Sequence, residues 1–465
     1  MINVKKIGFI FLVGLVMSLG LFINPGYFSH DEIGWGIKAT SVGTLSDIKY
    51  YSIFHYNEFH YRPLNFNLWL LTSYYLFEHP QLYHLLLVFF GLVNASLIYF
   101  FLKKEAGCQI AFFTALTSSI MPTIVFVNGW IGTMADVFWF MFCCISLIIH
   151  QVNRKQETLS PYLLVLSLLF FLMSLMFKET AVVFPGILFI YITYSRYHEY
   201  GDFRVYKNKA DVSLFLLSSL LFVSYLMVRY DFLFPSNGGG YGTSIHNIPV
   251  RLLEYMIYPF LINNIEIHGL FTQHSLFELS CALLIHLVFI GILCGKDFSK
   301  YLLYFSCYFV STVPMLILDM SLPHYIYASG FVIAFGLSAL FLSRCYKKKI
   351  ISVVFCVMLA VHGINVQKSY VFTGEYQNNF VNTLYSVIKS NDKNFLYIIN
   401  PEFGSASWIA IRAIAFRESI DDVKIRNRVY FNGEQASESS VGIKRNLSLD
   451  TKGRVFLVED SNDVQ

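Results

Sequence analysis

The chain has 465 residues, of which 55% are hydrophobic, 18% aromatic and only 14% charged. A soluble domain rarely reaches these fractions, and apolar runs near twenty residues, the length that a bilayer requires, recur along the chain. The composition therefore excludes a soluble globular protein and predicts an integral membrane protein. The net charge of +4 says little by itself, because the placement of basic residues matters more than their total.

Eleven apolar segments predict an all-α polytopic membrane bundle. The first is expected to be retained rather than cleaved as a signal peptide, because Asn-Pro-Gly and no small-residue cleavage site follows it. The shorter, amphipathic segment 64–76 is expected to lie in the interface or to dip partway into the bilayer. The predicted spans are 7–24, 82–102, 108–127, 133–151, 159–177, 180–194, 211–230, 276–295, 301–318, 325–343 and 349–366.

Basic residues fall in every second connection between these spans, as in Lys103-Lys104 and Arg154-Lys155. The positive-inside rule makes those connections cytoplasmic. The N-terminus is then predicted inside and the C-terminus outside, as in a multi-pass protein of a bacterial inner membrane. The two long connections, 25–80 and 231–275, are predicted to be external.

From about residue 367 the sequence takes on the character of a soluble protein. The runs 395–399, 429–431 and 455–459 predict strands, and 407–419 predicts an amphipathic helix. We therefore expect residues 1–366 to form a transmembrane catalytic module and residues 367–465 to form a small α/β domain in the periplasm.

Ionisable residues cluster at the predicted non-cytoplasmic ends of the spans. Such groups at membrane depth are costly and usually functional, and unrelated accidents would scatter over both faces. One site at the outer leaflet boundary is the economical interpretation. The residues concerned are His30, Asp31, Glu32, Tyr61, Arg62, His84, Lys178, Glu179, Arg229 and His324.

The acidic pair Asp31-Glu32 directly follows a spanning segment and has apolar neighbours. Low dielectric raises the pKa of a carboxylate toward the range of a general base, for which a hydroxyl acceptor would supply the proton. The second carboxylate could orient the first or bind the acceptor. In an arbitrary protein, however, an Asp-Glu pair on an exported loop is more often a solvated turn.

Arg62 and Lys178 are cations that can bind a phosphate at a membrane surface, or can instead anchor to lipid headgroups. Together with a base, they suggest group transfer from a lipid-linked phosphate donor. His84 and His324 are more often satisfied helix-end histidines than catalysts. His30 could tune the pKa of Asp31, bind a metal or cap a turn.

Four stretches in this order resemble the GT-C superfamily of membrane glycosyltransferases: FSHDEIGW, YRPLNFNLWLLTSYYLFEHPQLYH, FKETAVVFPGILFIY and LPHYIYASGFVIAFGLSAL. The resemblance covers roughly residues 1–345, and its more specific parts are the YRPL…YH segment and the Lys-Glu turn. It is to the branch with protein O-mannosyltransferases, related tetratricopeptide-bearing enzymes and aminoarabinose transferases. The tail carries no tetratricopeptide repeat.

The resemblance implies a role for each matching residue. Asp31 would be the catalytic base and Glu32 its neighbour, and Arg62 would help to build the site around the carrier phosphate. His324 stands where relatives often have arginine, which puts the phosphate contact there in doubt or makes it pH dependent; Arg229 could compensate. The other residues implied for donor binding are Tyr61, Tyr83-His84, Lys178, Glu179, Tyr325 and Tyr327.

The implied function is an inverting transfer of a sugar from a polyprenyl-phosphate carrier to a hydroxyl at the outer face, for example the glucosylation of O-antigen in lipopolysaccharide. A protein hydroxyl, as in protein O-mannosylation, or lipid A is the alternative acceptor. A transporter or flippase of lipid-linked sugars is a further alternative, but it would place charges at the midplane with repeat symmetry. An O-antigen polymerase or ligase would leave the acidic pair unexplained.

The expected partners are the lipid-linked sugar donor, a glycan or other hydroxyl acceptor and the bilayer, with no nucleic acid. No cofactor and no metal site is predicted, since the eight cysteines show neither a disulfide framework nor zinc spacing. A divalent cation near the acidic pair is left open.

Overall fold

The structure, a computed structural model, describes residues 4–56, 61–156, 158–200, 208–233, 242–389, 395–401, 417, 429–431, 443–450 and 452–457. Within these ranges the chain forms α-helices followed by one small sheet. The helices are α1 Val4–Met17, α2 Leu19–Phe22, α3 His30–Thr40, α4 Pro63–Leu76, α5 Pro80–Glu105, α6 Cys108–Ser118, α7 Pro122–Gly129, α8 Met134–Arg154, α9 Pro161–Phe177, α10 Phe184–Tyr200, α11 Lys209–Leu233, α12 Ile248–Ile257, α13 Leu270–Gln273, α14 Leu276–Cys294, α15 Phe298–Val310, α16 Tyr327–Phe341 and α17 Tyr346–Lys389.

Short 3₁₀ turns join several of these helices. Three of them shape the site described below, because they precede α8, α10 and α16. The turns are Leu45–Asp47, Ile131–Thr133, Glu179–Val183, Ile245–Asn247, Tyr258–Phe260, Val313–Met315 and Pro323–Ile326.

Helices that can cross a membrane confirm the predicted membrane bundle. In the described part, six helical segments are long and apolar enough to span, and α6 with α7 makes a seventh if that bent pair counts as one span. Each predicted span coincides with a helix or a helix pair, but α1, α9, α10 and α15 have 14, 17, 17 and 13 residues. The count of eleven spans therefore stays a prediction.

The predicted span 108–127 is broken in two. Helices α6 and α7 meet at an angle of 56°. Pro122 occupies the first turn of α7, where its missing N–H costs no intrahelical hydrogen bond. After α7 the chain turns at Trp130 and enters α8 through the 3₁₀ turn Ile131–Thr133, which packs against α3.

The predicted external loop 25–80 is largely helical in its described part. Helix α4 matches the amphipathic segment 64–76 and packs against α3 through Trp35, whose ring stacks on Phe66 and Trp69 with centroids 4.8 and 5.3 Å away. Aromatic stacking adds to the burial of these large side chains. The stack fixes the side of α3 that also bears Asp31.

A sheet of four strands follows the helices, with β1 Phe395–Pro401, β2 Val429–Phe431, β3 Ile443–Leu449 and β4 Val455–Leu457. The spatial order is β2-β1-β3-β4; β1 pairs in parallel with β2 and β3, and β4 is antiparallel to β3. The predicted strands at 395–399, 429–431 and 455–459 coincide with β1, β2 and β4. The predicted helix 407–419 lies outside the described residues except for Arg417, which is helical.

One long helix, α17, connects the sheet to the segment that precedes Asp31. Thr383 on α17 accepts a hydrogen bond from the backbone of Val455 at 3.0 Å, and Gln377 accepts one from the backbone of Tyr27 at 2.5 Å. The helix runs without a break through the expected boundary at 366/367, and the division into two domains stays a prediction.

Candidate active site

A cavity of about 370 Å³ opens between α3, α4, the start of α8 and the turns before α10 and α16. Its size lies within the range of small-molecule sites. The ionisable side chains in its wall come from separate parts of the chain. They are Asp31, Arg62, Asp136, Lys178, Glu179 and His324.

Arg62 and Glu179 form one of two ion pairs in this wall. The Arg62 Nε donates to Glu179 Oε2 at 2.8 Å, and Nη2 donates to Oε1, so the contact is bidentate. Although burial acts to raise the pKa of Glu179, Arg62 and Lys178 outweigh it and hold that pKa well below its ordinary value. Glu179 is therefore an anion at neutral pH and fixes the plane of the guanidinium.

Lys178 and Asp136 form the second ion pair. The ammonium donates to both carboxylate oxygens at 2.7 Å, and both side chains are only 3% exposed. Lys178 sits between α9 and the turn before α10, where burial lowers its pKa and Arg62 lowers it further, against the opposing effect of Asp136. A buried cation of this kind can act strongly on a developing negative charge, because little water screens it.

The cavity also has an aromatic wall. Trp35, Phe66 and Trp69, which form the stack between α3 and α4, line it together with Trp130 and Tyr325. The site thus combines charged side chains with an apolar surface. Asp31, an exposed carboxylate on α3, lies where these features meet.

Glu32 takes a different position from its neighbour Asp31. Its side chain is only 1% exposed and does not line the cavity. Oε2 accepts hydrogen bonds from the backbone of Phe28 and Ser29 at 2.6 and 2.7 Å, and Oε1 accepts one from the backbone of Ile131 at 2.7 Å. Burial raises the pKa of Glu32 to about 8, although these three donors act to lower it. The geometry is that of a capping box with one long-range contact.

Among the other predicted site residues, Arg62, Lys178, Glu179, His324 and Tyr325 line the cavity with Asp31. His324 packs edge-on against Trp130, with ring centroids 5.4 Å apart. The side chain of His30 lies outside the described part of the structure.

Besides Glu32, the predicted site residues that do not line the cavity are Tyr61, Tyr83, His84, Arg229 and Tyr327. His84 is buried and makes a 2.9 Å hydrogen bond with the carbonyl of Gly26, while the Tyr327 hydroxyl accepts from Asn94 at 3.1 Å. Arg229 stands 5.5 Å from the ring centre of Tyr61 and donates to the carbonyl of Tyr56. Tyr61 and Arg229 therefore lie next to each other, and Arg229 contacts loop 25–80 rather than the cavity.

Asp136 is the site residue that the sequence reasoning missed. It lies in the first turn of α8, within an apolar span, and pairs with a lysine 42 residues away. An acidic residue inside an apolar span is itself a signal for function. The sequence therefore shows that Asp136 is unusual, but it does not show that Lys178 is its ion-pair partner.

Within the described ranges, no group of three or more His, Cys, Asp or Glu side chains is arranged to hold a metal ion.

The comparisons with known proteins bear on the fold. The crystal structure of ArnT from Cupriavidus metallidurans bound to undecaprenyl phosphate superposes with a TM-score of 0.50 at 11% identity, over 96% of this chain and 93% of that one. The same protein in the apo state gives 0.45 at 11% identity, over 97% and 94%. No family model and no curated protein matches the sequence. The first superposition shows that the chain has a fold like that of this ArnT, which is the kind of fold that the resemblance in its sequence implies.

Proposed function

We propose that this protein is an inverting glycosyltransferase that moves a sugar from a polyprenyl-phosphate carrier to a hydroxyl at the outer face of a bacterial inner membrane. The observation that carries the proposal is the cavity itself: Asp31, Arg62 and Lys178 are far apart in sequence and line one space. A base and two cations beside aromatic side chains suit a substrate that is part sugar, part phosphate and part lipid.

In the proposed reaction, Asp31 removes the proton of the acceptor hydroxyl while its oxygen attacks the anomeric carbon of the donor. A new glycosidic bond forms, and the bond between that carbon and the phosphate oxygen breaks. The electron pair stays on the polyprenyl phosphate, which leaves as an anion and needs no general acid. One displacement inverts the anomeric configuration.

Arg62 and Lys178 would stabilise the charge that grows on the leaving phosphate. Both already pair with carboxylates, and this pairing supports the proposal because it holds each cation in one orientation before the substrate arrives. The cavity is therefore a preorganised site rather than an open patch of positive charge.

The acceptor that we favour is a cell-surface glycan such as O-antigen, with glucose as the sugar; lipid A or a protein hydroxyl are the alternatives within the same chemistry. ArnT was solved with undecaprenyl phosphate, which makes that lipid and its sugar derivatives the first probes. In this proposal the N-terminus is cytoplasmic, and Asp31, with the C-terminal residues, faces the periplasm.

The test compares the wild-type protein with the Asp31→Asn variant in proteoliposomes. With lipopolysaccharide O-antigen supplied as the hydroxyl acceptor, we expect release of undecaprenyl phosphate from at least one of a panel of undecaprenyl-phosphate sugars. In the variant this release should fall about a thousandfold, within the range for loss of a general base. Binding of free undecaprenyl phosphate should stay within twofold. Full activity of the variant would remove Asp31 as the base.

Sidedness is tested separately. A cysteine at position 31 should react with a membrane-impermeant maleimide added to the periplasmic side of intact spheroplasts. Labelling only after the cells are broken would contradict the proposed topology.

A further inference from the structure

Glu32 is a buried carboxylate next to the proposed base Asp31. A Ser-x-x-Glu capping box needs only one carboxylate oxygen for the N-cap backbone, and Oε2 of Glu32 serves it through Ser29 and Phe28. The other oxygen, Oε1, accepts from the backbone of Ile131, which is 99 residues away in the chain. A capping box that only starts a helix does not need this second contact.

The contact joins two walls of the cavity. Ile131 begins the 3₁₀ turn that leads into α8, and its neighbours Trp130 and Gly132 line the cavity. Asp136 follows in the first turn of α8. The first wall carries Asp31 on α3, and the second carries Asp136 with its partner Lys178.

A second hydrogen bond runs in parallel with the first. The indole Nε1 of Trp130 donates to the hydroxyl of Ser29 at 2.9 Å. Ser29 and Glu32 are thus the two side chains that tie the start of α3 to the turn before α8, and Asp31 lies between them in sequence. The bond between Glu32 and the backbone of Ile131 is buried, and the low local dielectric strengthens it.

We propose that Glu32 is a positioning residue that fixes Asp31 relative to the Asp136–Lys178 pair by holding the backbone of Ile131, and that it does not itself touch the substrates. This inference rests on the proposed function, in which Asp31 is the base. It assigns the two adjacent carboxylates different tasks: one works at the surface of the cavity and the other holds two of its walls together.

Glu278 provides a matched control. It occupies the same position in the sequence pattern Ser275-x-x-Glu278, and its carboxylate accepts from the backbone of Ser275 at 2.9 Å. Its side chain is 55% exposed, and its hydrogen bonds and ion pair in the described structure are to residues of its own turn. Glu278→Gln therefore perturbs a capping box without perturbing a long-range link.

The test measures Glu32→Gln, which keeps the shape of the side chain but replaces one acceptor oxygen with a donor. We expect kcat for sugar transfer to fall about tenfold to a hundredfold, because a small misplacement of a catalytic group costs about that much. KM for the lipid donor should stay within twofold. Hydrogen exchange at the Ile131 amide should accelerate about tenfold, and Glu278→Gln should change none of the three.

The pH profile separates positioning from general damage. The titratable groups around Glu32 are Asp31, Tyr27 and Tyr83. The ionised carboxylate accepts from the three backbone donors more strongly than the protonated group does, so the ratio of wild-type to Glu32→Gln kcat should widen between pH 6 and pH 9. If Glu32→Gln does not fold, Ser29→Ala loosens the same link and should lower kcat in the same direction by a smaller factor.

The outcomes are distinguishable from failure of the proposed function. If the wild-type protein transfers no sugar from any donor, the proposed function fails, and exchange at the Ile131 amide still decides whether Glu32 couples the two turns. Equal exchange in wild type and Glu32→Gln, a wild-type kcat in that variant, or an effect confined to KM would each overturn the positioning role.

Discussion

Two groups of buried charge lie at opposite ends of α8, and they solve the problem of burial in different ways. Asp136 and Arg154 are 18 residues apart on this helix, about 27 Å at the usual helical rise. Asp136 belongs to the cavity cluster, which we define as Arg62, Asp136, Lys178 and Glu179. Arg154 belongs to the Asp211 cluster, defined as His150, Arg154, Arg196 and Asp211.

In the Asp211 cluster, one carboxylate pairs with two arginine side chains and one histidine. Asp211 has no exposed side-chain surface, and it pairs with His150 at 3.0 Å, Arg154 at 3.2 Å and Arg196 at 3.0 Å. These contacts join α8, α10 and α11. A carboxylate surrounded in this way has no face left for a ligand, and the arrangement serves to hold helices together.

In the cavity cluster, cations and carboxylates pair one to one around an open space. Each cation keeps a fixed orientation and also borders the cavity. A buried ion pair is therefore not by itself a sign of function, since both clusters contain such pairs. What separates the two is whether the paired groups also border a space that a substrate can enter.

Among changes to the two clusters, the largest expected effect comes from breaking the cavity cluster at Lys178. Lys178→Met should lower sugar transfer about a hundredfold or more, because it removes a cation that we propose stabilises the leaving phosphate. It should also destabilise the protein by about 3–5 kcal/mol, since Asp136 is left as a buried charge without its partner. The measurements are transfer in proteoliposomes and the thermal unfolding midpoint in detergent.

The double variant Asp136→Asn/Lys178→Met is the control for that prediction. It removes the pair as a unit, so the unfolding midpoint should return most of the way to the wild-type value while transfer stays low. A double variant as unstable as Lys178→Met would contradict the pairing as the source of the instability.

A change in the Asp211 cluster should lower stability but leave the cavity able to bind its ligand. Asp211→Asn leaves Arg154 and Arg196 without the carboxylate that they share, and it should also cost about 3–5 kcal/mol of stability. The fraction that remains folded should bind undecaprenyl phosphate within twofold of wild type. A tenfold loss of this affinity would show that the two ends of α8 are not independent.

The sequence predicted the parts of the site that carry their own signals. Arg62 before a proline and the charged pair Lys178-Glu179 between two apolar segments stand out in so apolar a chain. Their pairing could not be predicted, because it depends on α4 packing beside the turn after α9, which brings residues 62 and 179 into contact. Sequence spacing contains no information about that packing.

The role of Glu32 could be predicted from the sequence only in part. The pattern Ser29-x-x-Glu32 is readable as a capping box and would have assigned Glu32 to the start of a helix. Its bond to Ile131 could not be predicted, because it depends on the packing of the 3₁₀ turn before α8 against α3. The break between α6 and α7 was not predicted either, since 108–127 was expected to be one span.

A milder change in the cavity cluster keeps the positive charge at position 62 but removes the bidentate contact with Glu179. Arg62→Lys should lower kcat/KM for the lipid donor about tenfold, because a lysine cannot make the bidentate contact that orients the guanidinium against Glu179. The matched control is Arg454→Lys, at an exposed pair with Asp450. The control should leave the kinetics unchanged; equal kinetic losses in both variants would argue against a specific role for the Arg62 geometry.

The smallest effect concerns the pH dependence of stability. Burial raises the pKa of Glu32 from its ordinary value of 4.5 to about 8, so the folded protein binds a proton that the unfolded chain has released between these two values. The stabilisation linked to this proton is complete below about pH 4.5 and is lost as the pH rises through about 8, with a slope of at most about 1.4 kcal/mol per pH unit.

Thermal unfolding of wild type and Glu32→Gln across pH 5 to 9 measures this slope as a difference, because every other titrating group is common to both proteins. The wild-type midpoint should fall relative to that of the variant as the pH rises. A difference that does not change with pH would mean that Glu32 is already ionised throughout this range. Its three backbone donors would then outweigh its burial, and the positioning contact with Ile131 would hold at every working pH.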